Sequence, residues 1–307
     1  MEAVSPYLVR GVSWTPRGCV LGLSGADGTA GKFQLEAGTE LRFQVVTAPG
    51  VRHCLGYSTV AGPSSRQQFG CSDCNDAERG FQCGRCFARD DFRFLHDIHR
   101  SGIAPPGMQA YVDQEHWLYV ATFADGASKV GTASHRSKFS RLAEQGAVVA
   151  RYVGWAKDGR IIRRLEDAVT EHLGLVQAVR TAAKLAALAS PLPAEELERI
   201  NVAKAAEVRS MLDGGNGLSG SQTVSEQWHR PEAAKGVCEA GPGVLYPHDL
   251  GEGRHGLRIR AVHGSYVRAG IDASGVEFLA DLSRLKGKRI EFGQYCSEVP
   301  AVQEFLF

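Results

Sequence analysis

The chain has 307 residues, 43% hydrophobic and 22% charged, with a formal net charge of +1. That balance excludes an intrinsically disordered chain and a whole-chain polycation, so any affinity for nucleic acid has to be local. No window approaches the roughly 18 consecutive apolar residues of a membrane span, and the start, MEAVSPYLVRGVSWTPRG, lacks the basic-then-apolar order of a secretory signal.

A cytoplasmic protein without a membrane partner is therefore expected, and its eight cysteines point to metal ligands or free thiols before disulfides. Residues 1–53 read as an N-terminal β segment. The runs CVLGLSG, KFQLEAG and ELRFQVV alternate or stay apolar between Gly-containing turns.

Residues 54–110 hold a cysteine cluster and little periodic pattern. Cys71 and Cys74 form one C-x-x-C pair, and Cys83 and Cys86 form a second after an eight-residue spacer. Each pair can clamp a metal from one tight turn, and two pairs complete the all-sulfur tetrahedral shell that suits zinc. An iron–sulfur cluster takes the same ligand set, and spacing does not choose between them. A closed four-sulfur shell has no open position for water, so this element reads as a structural clip rather than a hydrolytic centre. Cys19, Cys54, Cys238 and Cys296 stand apart and read as buried small hydrophobes or plain thiols. His53, His96 and His99 lie near the cluster in sequence, with a solvated helix face as the expected place for the last two.

Residues 111–175 read as a β-β-α-β-α module: strands over 117–123 and 128–131, a helix over 136–146, a strand over 148–155 and a helix over 159–173. Gly146 suits a left-handed cap after the first helix. From 129 to 164 the chain carries nine Lys or Arg against two acids, a local excess of seven positive charges. Such a concentrated field attracts polyanions. Glu166 follows Ile162 by four residues and precedes Val169 by three, so it borders the buried face of its helix. A carboxylate there is costly unless paired or bound to a cation.

The Ala-rich stretch 175–189 continues as helix, SPLP at 190–193 breaks it, and AEELERINVAKAAEVRSML forms a further helix with acids in its first turn. Together 176–213 make a helical segment. Residues 214–242, which open on GGNGLSGSQ, read as a flexible loop. Residues 243–307 return to β, with GKRIEFGQY near 287–295 echoing GTELRFQVV near 38–46. If the echo is real, the two ends pair into one β domain around the centre.

The central residues resemble the GIY-YIG nuclease module. Leu118-Tyr119-Val120 matches its first motif. Lys129-Val130-Gly131 matches the second, with Lys129 where the family has Tyr. Arg141 matches the helix arginine, with Arg136 as the alternative, and Glu166 matches the metal-binding glutamate; no late asparagine is matched. The wider order, a Cys-rich segment followed by LYVA, KVG and a basic helix ending EQGA, is similar to an uncharacterised bacterial family with a GIY-YIG-like centre.

The resemblance implies an α+β chain: a GIY-YIG-like centre preceded by the four-cysteine zinc element and flanked by small antiparallel β segments. It also implies a metal-dependent phosphodiesterase acting on DNA or RNA. Tyr119 would accept a proton, Lys129 and Arg141 would hold the phosphate, and Glu166 would carry Mg or Mn. Arg136, Lys138, Arg163 and Arg164 would contact nucleic acid. The competing expectations are a non-catalytic zinc-containing nucleic-acid binder or adaptor, and a hydrolase of a tRNA-linked or nucleotide substrate.

Overall fold

The computed structural model describes residues 5–95, 97–271 and 275–298. Strands β1 (Tyr7–Thr15), β2 (Gly18–Ser24), β3 (Ala30–Leu35) and β4 (Glu40–Val45) come first. The cysteine-bearing stretch contains the hairpin β5 (Tyr57–Gly62) and β6 (Ser65–Phe69) and short helices α1 (Gly84–Arg89), α2 (Ile98–Ser101) and α3 (Pro106–Val112). Next come β7 (His116–Thr122), β8 (Ser128–Ser134), α4 (Lys138–Gln145), β9 (Val149–Ala156) and α5 (Gly159–Leu173). Helices α6 (Thr181–Ala189) and α7 (Ala194–Met211) lead to β10 (Ser221–Gln227) and α8 (Gly236–Glu239). The chain ends on β11 (Val244–Leu245), β12 (Arg254–His263), β13 (Tyr266–Gly270), β14 (Glu277–Asp281) and β15 (Arg289–Phe292). The fold is mixed α+β. No helix among the described residues is long and apolar enough to cross a membrane.

The two terminal β segments are not separate flanks. They merge into one nine-stranded sheet of order β11-β14-β13-β12-β4-β15-β1-β2-β3. The echoing strands β4 and β15 pair directly, Ile290 opposite Val45 and Phe292 opposite Phe43. On either side of that pair stands a three-stranded meander, and each carries a bulge at the same place: Val9/Gly11 in β1 and Ile259/Ala261 in β12. The extra residue is an arginine both times, Arg10 and Arg260. The internal echo is thus a two-fold-like arrangement in which each half lends its last strand to the other.

The segment 214–242, read as a flexible loop, also departs from expectation. Ser221–Gln227 forms β10, which pairs antiparallel with β9 and completes a four-stranded sheet of order β10-β9-β7-β8. Its sequence, SQTVSEQ, is polar because an edge strand with little buried surface needs few apolar side chains. The helix expected to continue from 175 breaks at Gly174, which caps α5 at φ +68°. Residues 175–180 instead run along the open edge of β8, where Val130 N–H donates to the Val176 carbonyl at 3.0 Å. Gly146 caps α4 in the left-handed conformation, φ +68°.

Strand alternation divides the four-stranded sheet. Leu118, Val120, Val130 and Val153 pack under α5 and α7. Trp117, Tyr119, Ala121, Ala133 and Tyr152 face the other way, into a core shared with Leu142 of α4 and with Val9, Trp14 and Ile259 of the large sheet. Polar ties fix this docking: Trp14 Nε1 donates to the Gly264 carbonyl at 2.9 Å, and a His263 ring nitrogen lies 2.9 Å from the Gly146 carbonyl.

Asn201 of α7 is wholly buried on the face opposite Tyr119. Its Nδ2 donates to Thr122 Oγ1 at 2.9 Å and the Val120 carbonyl at 3.2 Å, while its Oδ1 accepts from Arg151 at 2.8 Å. Asn201→Ala is expected to destabilise the fold by about 2 kcal/mol, because Arg151 and Thr122 lose buried partners. Urea unfolding measures this; a loss below about 0.5 kcal/mol would show that water replaces the amide.

Candidate functional site

Two clusters of chemically capable side chains emerge. In the first, the Sγ atoms of Cys54, Cys71, Cys83 and Cys86 all lie within 4.8 Å of one another. A tetrahedral zinc shell with Zn–S of about 2.3 Å needs sulfurs about 3.8 Å apart, close to the 4.0 Å between Cys71 and Cys83. Such a set can bind a metal ion such as zinc. Burial pushes the Cys54 and Cys86 thiols up, so a dication is what would let four sulfurs ionise together.

Cys71, Cys83 and Cys86 are the residues read from the spacing, but Cys74 is not in the group. It is exposed, sits at φ +49°, and turns its sulfur toward the Cys71 carbonyl at 4.0 Å. Cys54 takes its place, because backbone pairing threads it between the two cysteine loops. Cys54 N–H donates to the Asn75 carbonyl and Leu55 N–H to the Phe81 carbonyl, both at 2.9 Å. Nearby, His53 Nδ1 lies 3.2 Å from Asp76. His99 is buried against Asp167 at 3.3 Å rather than on a solvated face, and His96 lies outside the described residues.

The second cluster gathers at the edge of β8. Tyr119 is fully buried, and its hydroxyl donates to Gln145 Oε1 at 3.2 Å. Burial raises its pKa, opposed by the Arg141 guanidinium and the Gln145 bond. That is the direction opposite to the one a proton acceptor needs. Lys129 is 6% exposed, donates to the Gln177 carbonyl at 3.0 Å and stands 5.8 Å from the Tyr119 ring centre. Burial, with Arg141 and Lys184 nearby, lowers its pKa to about 8, and Glu166 works against the shift. Glu166 is 4% exposed, with Oε2 held by Arg163 at 2.6 Å and no partner on Oε1 among the described residues. Arg141 stands exposed at the lip.

Tyr119, Lys129, Arg141 and Glu166 therefore come together from four elements, with Arg163 beside them. Lys184 joins them, a residue that no sequence motif singles out. Its Nζ donates to the Gln145 carbonyl at 2.8 Å, and burial with Arg141 nearby lowers its pKa to about 8. The available signal was its solitude as the one charge in TAAKLAALA.

The other basic residues do not converge. Lys138 pairs with Glu226 at 2.6 Å and lies over the Trp117 and Tyr152 rings. Arg136 reaches the Pro63 carbonyl at 3.5 Å, and Arg164 is exposed. Arg151 pairs with Glu198, and Arg160 with Asp113 and Asp158. Four of the nine basic residues thus pair with acids from outside the 129–164 window, Arg163 with Glu166 among them, and the stretch is not one continuous basic face.

Beside the cluster opens a cavity of about 350 Å³. Arg141, Arg163, Glu144, His116, Thr132, Ser134 and Ser137 line it, and Phe92, Leu95, Ile98, Tyr111 and Val112 close its far side. Four cations (Lys129, Arg141, Arg163 and Lys184) thus share the neighbourhood with two carboxylates, Glu166 and, on the cavity wall beside Arg141, Glu144. Among the described residues the only close group of three or more potential metal ligands is the cysteine set, so a cation on Glu166 would rely on ligand oxygens and water to complete its shell. The chain matches no family model, no curated protein and no solved structure.

Proposed function

We propose that the β8-edge centre holds a phosphodiester of a nucleic acid and hydrolyses it. The observation that carries this reading is the excess of four cations over two carboxylates, Glu166 and Glu144, at a hydroxyl-lined cavity, an arrangement that favours a phosphate. Arg141 and Arg163 line the cavity and fork onto phosphate oxygens. Lys129 and Lys184 supply positive potential from behind. The free Oε1 of Glu166 is the donor for Mg or Mn, which when bound would stabilise negative charge developing at phosphorus. Tyr119 packs against Gly131 and ties Gln145 in place, a positioning role. A cavity of about 350 Å³ takes one nucleotide rather than a duplex, so single-stranded or unpaired segments are the substrate class. The four-cysteine element is the structural unit beside this cavity.

A second reading, binding without cleavage, draws support from the ion pair that occupies Glu166 and from the full burial of Tyr119. One experiment separates the two. Labelled single-stranded DNA, duplex DNA and tRNA are incubated with the protein in Mg²⁺ or Mn²⁺, with binding followed by anisotropy in parallel. Cleavage that falls at least 100-fold in Glu166→Ala while binding persists is the expected result. Salt-sensitive binding with no cleavage by the wild type selects the binder. Equal cutting by Glu166→Ala and wild type overturns the role given to that residue.

A further inference from the structure

Resting on the phosphodiesterase reading, the geometry points to His116 as the proton acceptor of this centre. The imidazole sits on β7 where the sheet meets the start of α5. Nothing larger than glycine fits opposite it: a Cβ on Gly159 would lie 2.7 Å from His116 Cε1 and 3.0 Å from Nε2. The ring is therefore held in a slot with little freedom to turn.

That slot fixes the tautomer. His116 Nδ1 lies 2.8 Å from the Gln114 carbonyl, and a carbonyl only accepts, so Nδ1 carries the hydrogen. The neutral ring then has its lone pair on Nε2. That nitrogen has no hydrogen-bond partner among the described residues, and the residue lines the cavity with Arg141, Arg163, Thr132, Ser134 and Ser137. Both anion-holding arginines and a histidine with an unpartnered ring nitrogen thus line one cavity, so a water or phosphate there can come within hydrogen-bond reach of the imidazole, as a general base needs.

The electrostatics agree. Burial lowers the His116 pKa and Arg163 adds to the effect; the Gln114 carbonyl and Asp158 oppose it. Besides Arg163 and Asp158 of the α5 start, the charged or titratable groups on the cavity wall are Arg141 and Glu144 of α4 and Tyr111 of α3. Burial thus favours the neutral ring, the form able to accept. Tyr119, by contrast, has its hydroxyl donated to Gln145 and lies outside the lining of this cavity.

The step balances simply. A water molecule in the cavity gives a proton to His116 Nε2 as its oxygen forms a bond to phosphorus. The bond from phosphorus to the leaving oxygen breaks, and that oxygen takes a proton from a second water. His116 then returns its proton to solvent.

The test uses the full chain with a labelled single-stranded oligonucleotide and Mg²⁺ or Mn²⁺. His116→Asn is expected to lose about 100-fold in kcat with KM changed less than threefold, and to lose the acid limb of the pH–rate profile. That limb falls as Nε2 is protonated and lies below the ordinary histidine range. In His116→Ala, added imidazole restores part of the rate by entering the vacated slot. Independently of activity, nitrogen NMR of the protein without added Mg²⁺ or Mn²⁺, its cysteine site left loaded, should show Nδ1 protonated and Nε2 bare at pH 7. Thermal melts confirm that each variant is folded. If His116→Asn cuts normally while Glu166→Ala does not, the inference fails and the phosphodiesterase reading stands. If the wild type cuts none of the nucleic acids, the reading itself fails and takes this inference with it.

Discussion

Cys54→Ser is expected to abolish zinc binding and unfold the cysteine-bearing element, whereas Cys74→Ser keeps a full equivalent of metal. The reason is positional. Cys54 Sγ accepts from Gly56 N–H at 3.3 Å and from Cys83 N–H at 3.2 Å, bonds that stabilise a thiolate, while Cys74 is exposed and apart. The element has little else to hold it. One of its apolar clusters consists of Cys54, Tyr57, Cys83 and Cys86 with Phe69 and Cys71 against them, and the other centres on Val60, Ile98, Met108 and Val112. Clusters this small do not offset the entropy of ordering the segment. Structural zinc sites supply about 10–16 kcal/mol in small metal-dependent peptides, so bound metal would be the main source of this element's stability. Elemental analysis of the purified variants and melting with and without a chelator measure the effect. Retention of metal by Cys54→Ser together with its loss from Cys74→Ser would falsify the assignment. Spread of the damage is also predictable. Phe92, Leu95, Ile98, Tyr111 and Val112 wall the cavity proposed to hold phosphate, so a chelated protein should bind oligonucleotide less well while the two sheets stay folded.

Gly131→Ala should be the most damaging single methyl in the centre. The added Cβ would lie 2.4 Å from the Tyr119 hydroxyl oxygen and 2.5 Å from Cζ. Tyr119 cannot swing aside, because it is wholly enclosed and set edge-on to Tyr152 with ring centres 6.4 Å apart. Overpacking of this kind costs about 1–3 kcal/mol, and dislodging the hydroxyl from Gln145 adds about 1 kcal/mol. A double-mutant cycle isolates the cause. In a Tyr119→Leu background the extra methyl meets open space, and Gly131→Ala should then cost less than half as much. Additive losses would show that backbone conformation, not the tyrosine, demands glycine. The same crowding explains why Tyr119 and Gly131 face each other across β7 and β8 in register: the glycine is the floor on which the ring lies.

Much of this arrangement was legible from residues in order. Alternation located β2 to β4, β7 to β9 and the C-terminal strands, though not β1, β5, β6 or β10; 3.6-residue periodicity and caps located α5 and α7, and the C-x-x-C spacing located three of the four clustered sulfurs. The echo between the ends was visible as a pattern, because paired strands of similar environment carry similar alternation. Glu166 was marked by local geometry alone, since its neighbours Ile162 and Val169 place it at a buried helix edge.

What local sequence could not decide was set by backbone pairing between distant segments. Cys54 looks isolated until hydrogen bonds to 75 and 81 carry it between the cysteine loops. The polar edge strand β10 has no periodic signal, because its order comes from the β9 ladder rather than from burial of its own side chains. The charge of the 129–164 stretch reads as a basic face only until Glu198, Glu226 and Asp113 arrive from elsewhere to pair with it. Lys184 and His116 acquire chemical meaning from their neighbours across the fold. Short-range periodicity records which face of an element is buried; it carries no information on which remote groups share the burial, and those groups determine charge and tautomer at the β8 edge and which sulfurs could hold a metal.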